Sequence, residues 1–91
     1  MHLRHRVVML DGQAITLTRM QHRLLAQLVQ YAGKVLTRPI LLIQIRGYGP
    51  GMGPPRLAAH IHGLRRRLGV YAEYIQTVPG VGYRFWPMAG P

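Results

Sequence analysis

The chain contains no cysteine. That excludes disulfides, thiol catalysis and cysteine-based zinc sites, and it fits a reducing compartment. Acidic residues are nearly missing too. Asp11 and Glu73 are the only carboxylates, set against 12 Lys+Arg, for a net charge of +10. With no acidic pair, no thiol and no acid beside a histidine, general acid–base or triad catalysis has little to work with. The chain therefore reads as a non-enzyme with no cofactor. Long apolar runs are also absent. None approaches the roughly 18–20 residues that a membrane span needs. The basic start, Met1 to Arg6, is not followed by the apolar core of a secretory signal. Aromatic residues make up only 8%, and most are candidates for hairpin or core rather than an exposed stacking platform.

What is present is apolar content and arginine. At 91 residues and 48% hydrophobic, the chain should fold as one domain with a single modest core. All the basic residues except Lys34 are arginines. The guanidinium fork suits phosphates and guanine edges. A nucleic acid is the partner that this balance favours.

The expected boundaries are a basic arm or short strand over 1–6, a folded domain over 7–87 and a tail over 88–91. Val7–Leu10 and Ala14–Leu17 read as a β-hairpin around Asp11-Gly12. Asp11 is a turn residue in this reading, not a catalytic one. Thr18 and Gln21 form a capping box for a first helix reaching Ala32. Met20, Leu24, Leu25, Leu28, Val29 and Ala32 form its apolar face, and Gly33 stops it. His22 and Arg23 should face solvent. After Val35-Leu36, Thr37 caps a second helix with Pro39 in its first turn. Its residues Ile40 to Ile45 are apolar almost all round, which predicts burial on more than one side and an end at Gly47. The glycine- and proline-rich stretch 47–55 is a loop. Tyr48 and Met52 are its apolar groups and a candidate contact site.

The third helix, from about Pro55 to Leu68, turns Leu57, Ile61, Leu64 and Leu68 inward at about 100° per residue. Ala59, His62, Gly63 and Arg66 centre the outward face. His60 and Arg67 flank one side, Ala58 and Arg65 the other. A strand Tyr74–Val78, a glycine turn and a strand from Tyr83 to Pro87 complete a hairpin. A basic helix followed at once by a β-hairpin is the layout of a winged helix. His60 and His62 stand two apart and face different directions on a helix, so they do not make a metal ligand set. Gly80-Val81-Gly82 lacks the third glycine and the following helix of a phosphate loop, and reads as a hairpin tip needing positive φ. Candidate nucleic-acid contacts are His60, His62, Gly63, Arg65, Arg66, Arg67, Thr77 and Arg84.

The ordered blocks Leu10-Asp11-Gly12, Gly33-Lys34-Val35-Leu36-Thr37-Arg38, His60-Ile61, Leu64 to Leu68 and Ile75 to Phe85 carry a resemblance. Residues 7–86 resemble the winged-helix effector domain of OmpR/PhoB-type response regulators. That resemblance implies an α+β fold: an N-terminal antiparallel sheet, three helices and a C-terminal hairpin wing. It implies sequence-specific binding of double-stranded promoter DNA in the bacterial cytoplasm, commonly as tandem copies on direct repeats. It places a candidate RNA polymerase contact in loop 47–54. It also implies a receiver domain, which this sequence does not contain. Several positions depart from the family pattern: Ala58 replaces a frequent aspartate, Arg46 a tryptophan, and Gly63 and Pro79 basic residues. Two other readings are weighed against DNA: an RNA- or ribosome-associated basic protein, and a winged-helix module for protein contacts.

Overall fold

The computed structural model describes residues 2–4, 7–45 and 56–87. Strands β1 (His2–Arg4), β2 (Val7–Leu10) and β3 (Gln13–Thr16) form an antiparallel sheet in that order. The β2–β3 turn holds Asp11 at φ 49° and Gly12 at φ 79°. Both central residues are left-handed, as a tight two-residue hairpin requires. Val8 and Leu10 alternate inward from β2 and Ile15 from β3.

Helix α1 (Arg19–Gln30) comes next. The Thr18 hydroxyl accepts from the Gln21 amide, and the Gln21 carboxamide accepts from the Thr18 amide. This reciprocal box satisfies two of the helix's orphan N–H groups. Met20, Leu24, Leu25 and Leu28 form its buried face. The helix ends two residues before the expected Ala32, which is exposed. Gly33, at φ 87°, shapes the turn beyond it, and its amide donates to the Phe85 carbonyl.

Leu36–Thr37, expected as a connection and a cap, instead forms strand β4. Helix α2 (Arg38–Ile45) starts directly after it. Only Leu41 and Ile45 are buried in α2, while Ile40 is 43% and Ile43 63% exposed. The expected burial on several sides is not found. This eight-residue helix packs on α1, β4 and α3, with Leu42 half-buried against the core, and leaves Ile40 and Ile43 to solvent. The expected end at Gly47 lies outside the described residues.

Helix α3 (Leu57–Leu68) buries Leu57, Ile61, Leu64 and Leu68. A 3-10 segment, Gly69–Tyr74, leads into strands β5 (Ile75–Val78) and β6 (Gly82–Phe85). These pair with β4 in the order β4-β6-β5, all antiparallel. Tyr74, expected within the strand, instead ends the 3-10 segment. Its ring meets Tyr71 and Phe85 edge-on, at centroid distances of 5.5 and 5.9 Å. One apolar cluster runs through both sheets and all three helices.

The wing turn separates two uses of glycine. Gly80 takes φ 76°, as the tip requires. Gly82 is needed for a different reason: a Cβ there would run into the Leu36 carbonyl across β4.

Candidate nucleic-acid interface

The charge of α3 lies toward its C-terminus, where Arg65, Arg66 and Arg67 complement the negative end of the helix dipole. Their fates differ because successive residues point about 100° apart. Arg65 turns to the wing. Its Nε and Nη2 donate to the Ile75 carbonyl at 3.1 and 2.8 Å, and Nη2 also donates to Thr77 Oγ1 at 2.8 Å. Its guanidinium carbon lies 5.8 Å from the centre of the Tyr83 ring. One arginine thus ties the helix to the first wing strand. Arg67 turns the other way, and its Nε and Nη2 donate to the Thr16 carbonyl at 3.1 and 2.8 Å. It fixes α3 against the edge of the N-terminal sheet. Arg66 lies between them and is exposed.

The open strip of α3 is Ala58, Ala59, His62 and Arg66, all exposed. His60 is half-buried on the Arg67 flank. Gly63, expected on the outward face, is half-buried. A Cβ built on it would lie 3.4 Å from Gln21 Nε2. The glycine therefore sits beside the first turn of α1 rather than at the centre of the open strip.

The wing has two faces, because side chains alternate along a strand. Tyr83 and Phe85 point into the core. Arg84 between them points to the opposite face, away from α3. There its Nε donates to Gln76 Oε1 at 2.7 Å, and its guanidinium stacks 5.1 Å from the Trp86 ring. Thr77 is exposed on the Arg65 side. Tyr48 and Met52 lie outside the described residues.

Sequence reading missed three of these ties. Nothing in the spacing of Arg65, Arg67 or Arg84 reveals that a backbone or amide oxygen waits for each. The fourth missed tie joins the two ends of the fold. Tyr71 donates its hydroxyl to Asp11 Oδ2 at 2.8 Å. That bond to a carboxylate, with some burial and the negative charge itself, holds the phenol above its usual pKa. His22, expected in solvent, is half-buried, and its Nε2 meets no partner among the described residues. Arg23 is exposed as expected, with its Nε on the Gln44 carbonyl at 2.9 Å. No group of three or more potential metal ligands occurs among the described residues. No helix among them is long and apolar enough to cross a membrane.

Three helices, flanked by an N-terminal sheet and by a hairpin wing tied to the third helix, define a winged helix-turn-helix protein. The match to known families is equally direct. The family described as "Transcriptional regulatory protein, C terminal" matches residues 12–85, and the chain belongs to it, as an OmpR/PhoB-type effector domain. Among curated relatives, the response regulator protein PmrA of Pseudomonas aeruginosa is 38% identical over 76 residues, covering 84% of this chain and 34% of that protein. The swarming motility regulation protein RssB of Serratia marcescens is 34% identical over the same span and coverage. The chain thus spans about a third of the length of these relatives. Among solved structures, the Klebsiella pneumoniae RstA DNA-binding domain in complex with the RstA box superposes with a TM-score of 0.72 at 32% identity. The match covers 90% of this chain and 84% of that one.

Proposed function

We propose that this chain is the DNA-reading part of a bacterial transcription regulator. It binds duplex promoter DNA sequence-specifically, with α3 in the major groove and the β5–β6 hairpin along the neighbouring backbone. The observation that carries this reading is the open strip of α3 ending in the exposed Arg66, beside a hairpin whose position Arg65 fixes. The net charge of +10 supplies long-range attraction to phosphate. The complex of the related RstA domain with its box supports the same partner.

Each candidate residue takes a role consistent with its surroundings. Arg66 neutralises a phosphate. His62 offers a donor or acceptor to base edges, with His60 at its flank. Arg65 and Arg67 each keep Nη1 clear of their internal bonds. They are phosphate donors already fixed in place, so binding costs less side-chain entropy. Thr77 offers its hydroxyl from the wing. Arg84, on the far face of the sheet, is left out of the interface, and Gly63 serves the packing of α1 on α3. Tandem occupancy of direct repeats and polymerase contact through loop 47–54 belong to the same reading and rest on the family resemblance.

The test is selection from a random duplex pool, followed by affinity measurement over a salt series. A consensus with a non-uniform salt-independent preference is expected, and any repeat spacing in it reports tandem geometry. Selection of no consensus, with affinity set by salt alone, would overturn sequence specificity. Preference for structured RNA over duplex would overturn the DNA reading.

A further inference from the structure

We infer that α3 reads thymine methyl groups through Ala58 and Ala59, one turn ahead of a base contact from His62. This rests on the DNA-binding reading above. The residues of a recognition helix that meet base edges lie in its N-terminal part. In α3 the first two residues after the buried Leu57 are Ala58 and Ala59, both exposed. Each offers only a methyl group.

A methyl group pressed on a polar base edge displaces water from donors and acceptors and returns no hydrogen bond, which is unfavourable. The one apolar group that base pairs present in the major groove is the C5-methyl of thymine. Two exposed alanines at the front of the helix therefore match a thymine-rich edge and disfavour a bare polar one.

The arginines that follow on α3 are held away from that match. Arg65 is held on the Ile75 carbonyl and Thr77, and Arg67 on the Thr16 carbonyl. Neither can swing forward over the alanines without giving up those bonds. Gly63 has no side chain and lies beside Gln21. His62 is the next exposed hydrogen-bonding group along the strip. It stands three to four residues on, about 5 Å along the axis, or one to two base steps. The half-site this describes is one or two thymines, then a base that bonds an imidazole one to two steps away.

Deoxyuridine in place of thymidine removes the methyl group and leaves base pairing intact. The experiment takes the duplex selected from the random pool and replaces each thymine singly. At one or two positions per half-site, affinity should fall about fourfold, the worth of one buried methyl group. Ala59→Gly or Ala58→Gly should lose a similar factor and become indifferent to deoxyuridine at the matching position. The scan on the unaltered protein decides the question even where a glycine variant folds poorly. Selected duplexes that tolerate deoxyuridine everywhere would overturn methyl readout and leave DNA binding standing. Failure to bind any duplex would overturn both.

Discussion

At the scale of single residues, the wing turn shows two glycines that look alike in sequence and answer to different physics. Gly80 has a positive φ with nothing within 4 Å of where a Cβ would stand. Gly82 does not take a left-handed φ, but Leu36 occupies the space of its Cβ. Replacing Gly80 by alanine costs only the left-handed backbone, about 1–2 kcal/mol. Replacing Gly82 by alanine forces β4 and β6 apart, and both the Leu36–Tyr83 and Thr37–Gly82 pairings lie there. We expect Gly82→Ala to lose more stability than Gly80→Ala in urea unfolding, about 3 kcal/mol, at the upper end of overpacking effects. Equal losses would show that the sheet absorbs the extra carbon. The sequence made Gly82 conspicuous as part of a turn, but the reason for it sits 46 positions away in Leu36. A residue read locally cannot report a clash with a distant strand.

At the scale of elements, local patterns served well where the cause was local. The capping box of α1, the Asp11-Gly12 hairpin and the inward face of α3 all follow from spacing and backbone chemistry within a few residues. Helix α2 failed the same treatment. Its apolar run gives no preferred face, so only the packing of α1 and α3 decides that Leu41 and Ile45 go inside and Ile43 does not. The candidate interface divides in the same way. Ala59, His62 and Arg66 were legible as an outward strip, but Ala58 was read on its flank and Gly63 within it, and the capture of Arg65 and Arg67 by the Ile75 and Thr16 carbonyls was not legible. The junction of α1 with α3 gives a test. Gln21 closes the capping box and also lies beside Gly63. A Cβ on Gly63 would meet Gln21 Nε2 at 3.4 Å, an ordinary contact. Gly63→Ala should therefore collect most of the helix propensity gain and raise stability by about 0.5–1 kcal/mol. Thr18→Ala should lower it by about 1 kcal/mol. DNA affinity of Gly63→Ala should stay within about twofold of the parent, since Gly63 lies off the open strip. Thermal unfolding and a binding titration read both effects. Destabilisation by Gly63→Ala would mean that Gln21 cannot yield without losing its cap.

At the scale of the whole molecule, charge sets stability and binding against each other. Two carboxylates cannot neutralise 12 basic side chains, so the folded chain repels itself. One of the two, Asp11, already accepts the Tyr71 hydroxyl where the N-terminal hairpin meets the 3-10 segment. Added salt shortens the reach of that repulsion to about 10 Å at 0.1 M and should stabilise the compact state. The same salt competes with Lys and Arg for phosphate, and DNA affinity should fall linearly on a log–log plot with a slope of about −0.9 per phosphate neutralised. Raising sodium chloride from low to moderate concentration should thus raise the melting temperature by a few degrees, about 1 kcal/mol at this size, while weakening DNA binding. Arg66→Ala separates the two effects. Its side chain is exposed, and no hydrogen bond ties it to another described residue. The variant should melt within a few degrees of the parent at low salt, because the repelling charge that is gone offsets the lost cation at the C-terminal end of α3. Its binding slope should be shallower by about one unit. A variant that kept the parent slope would place Arg66 off the DNA. A parent whose melting temperature fell with salt would show that attraction, not repulsion, governs this surface.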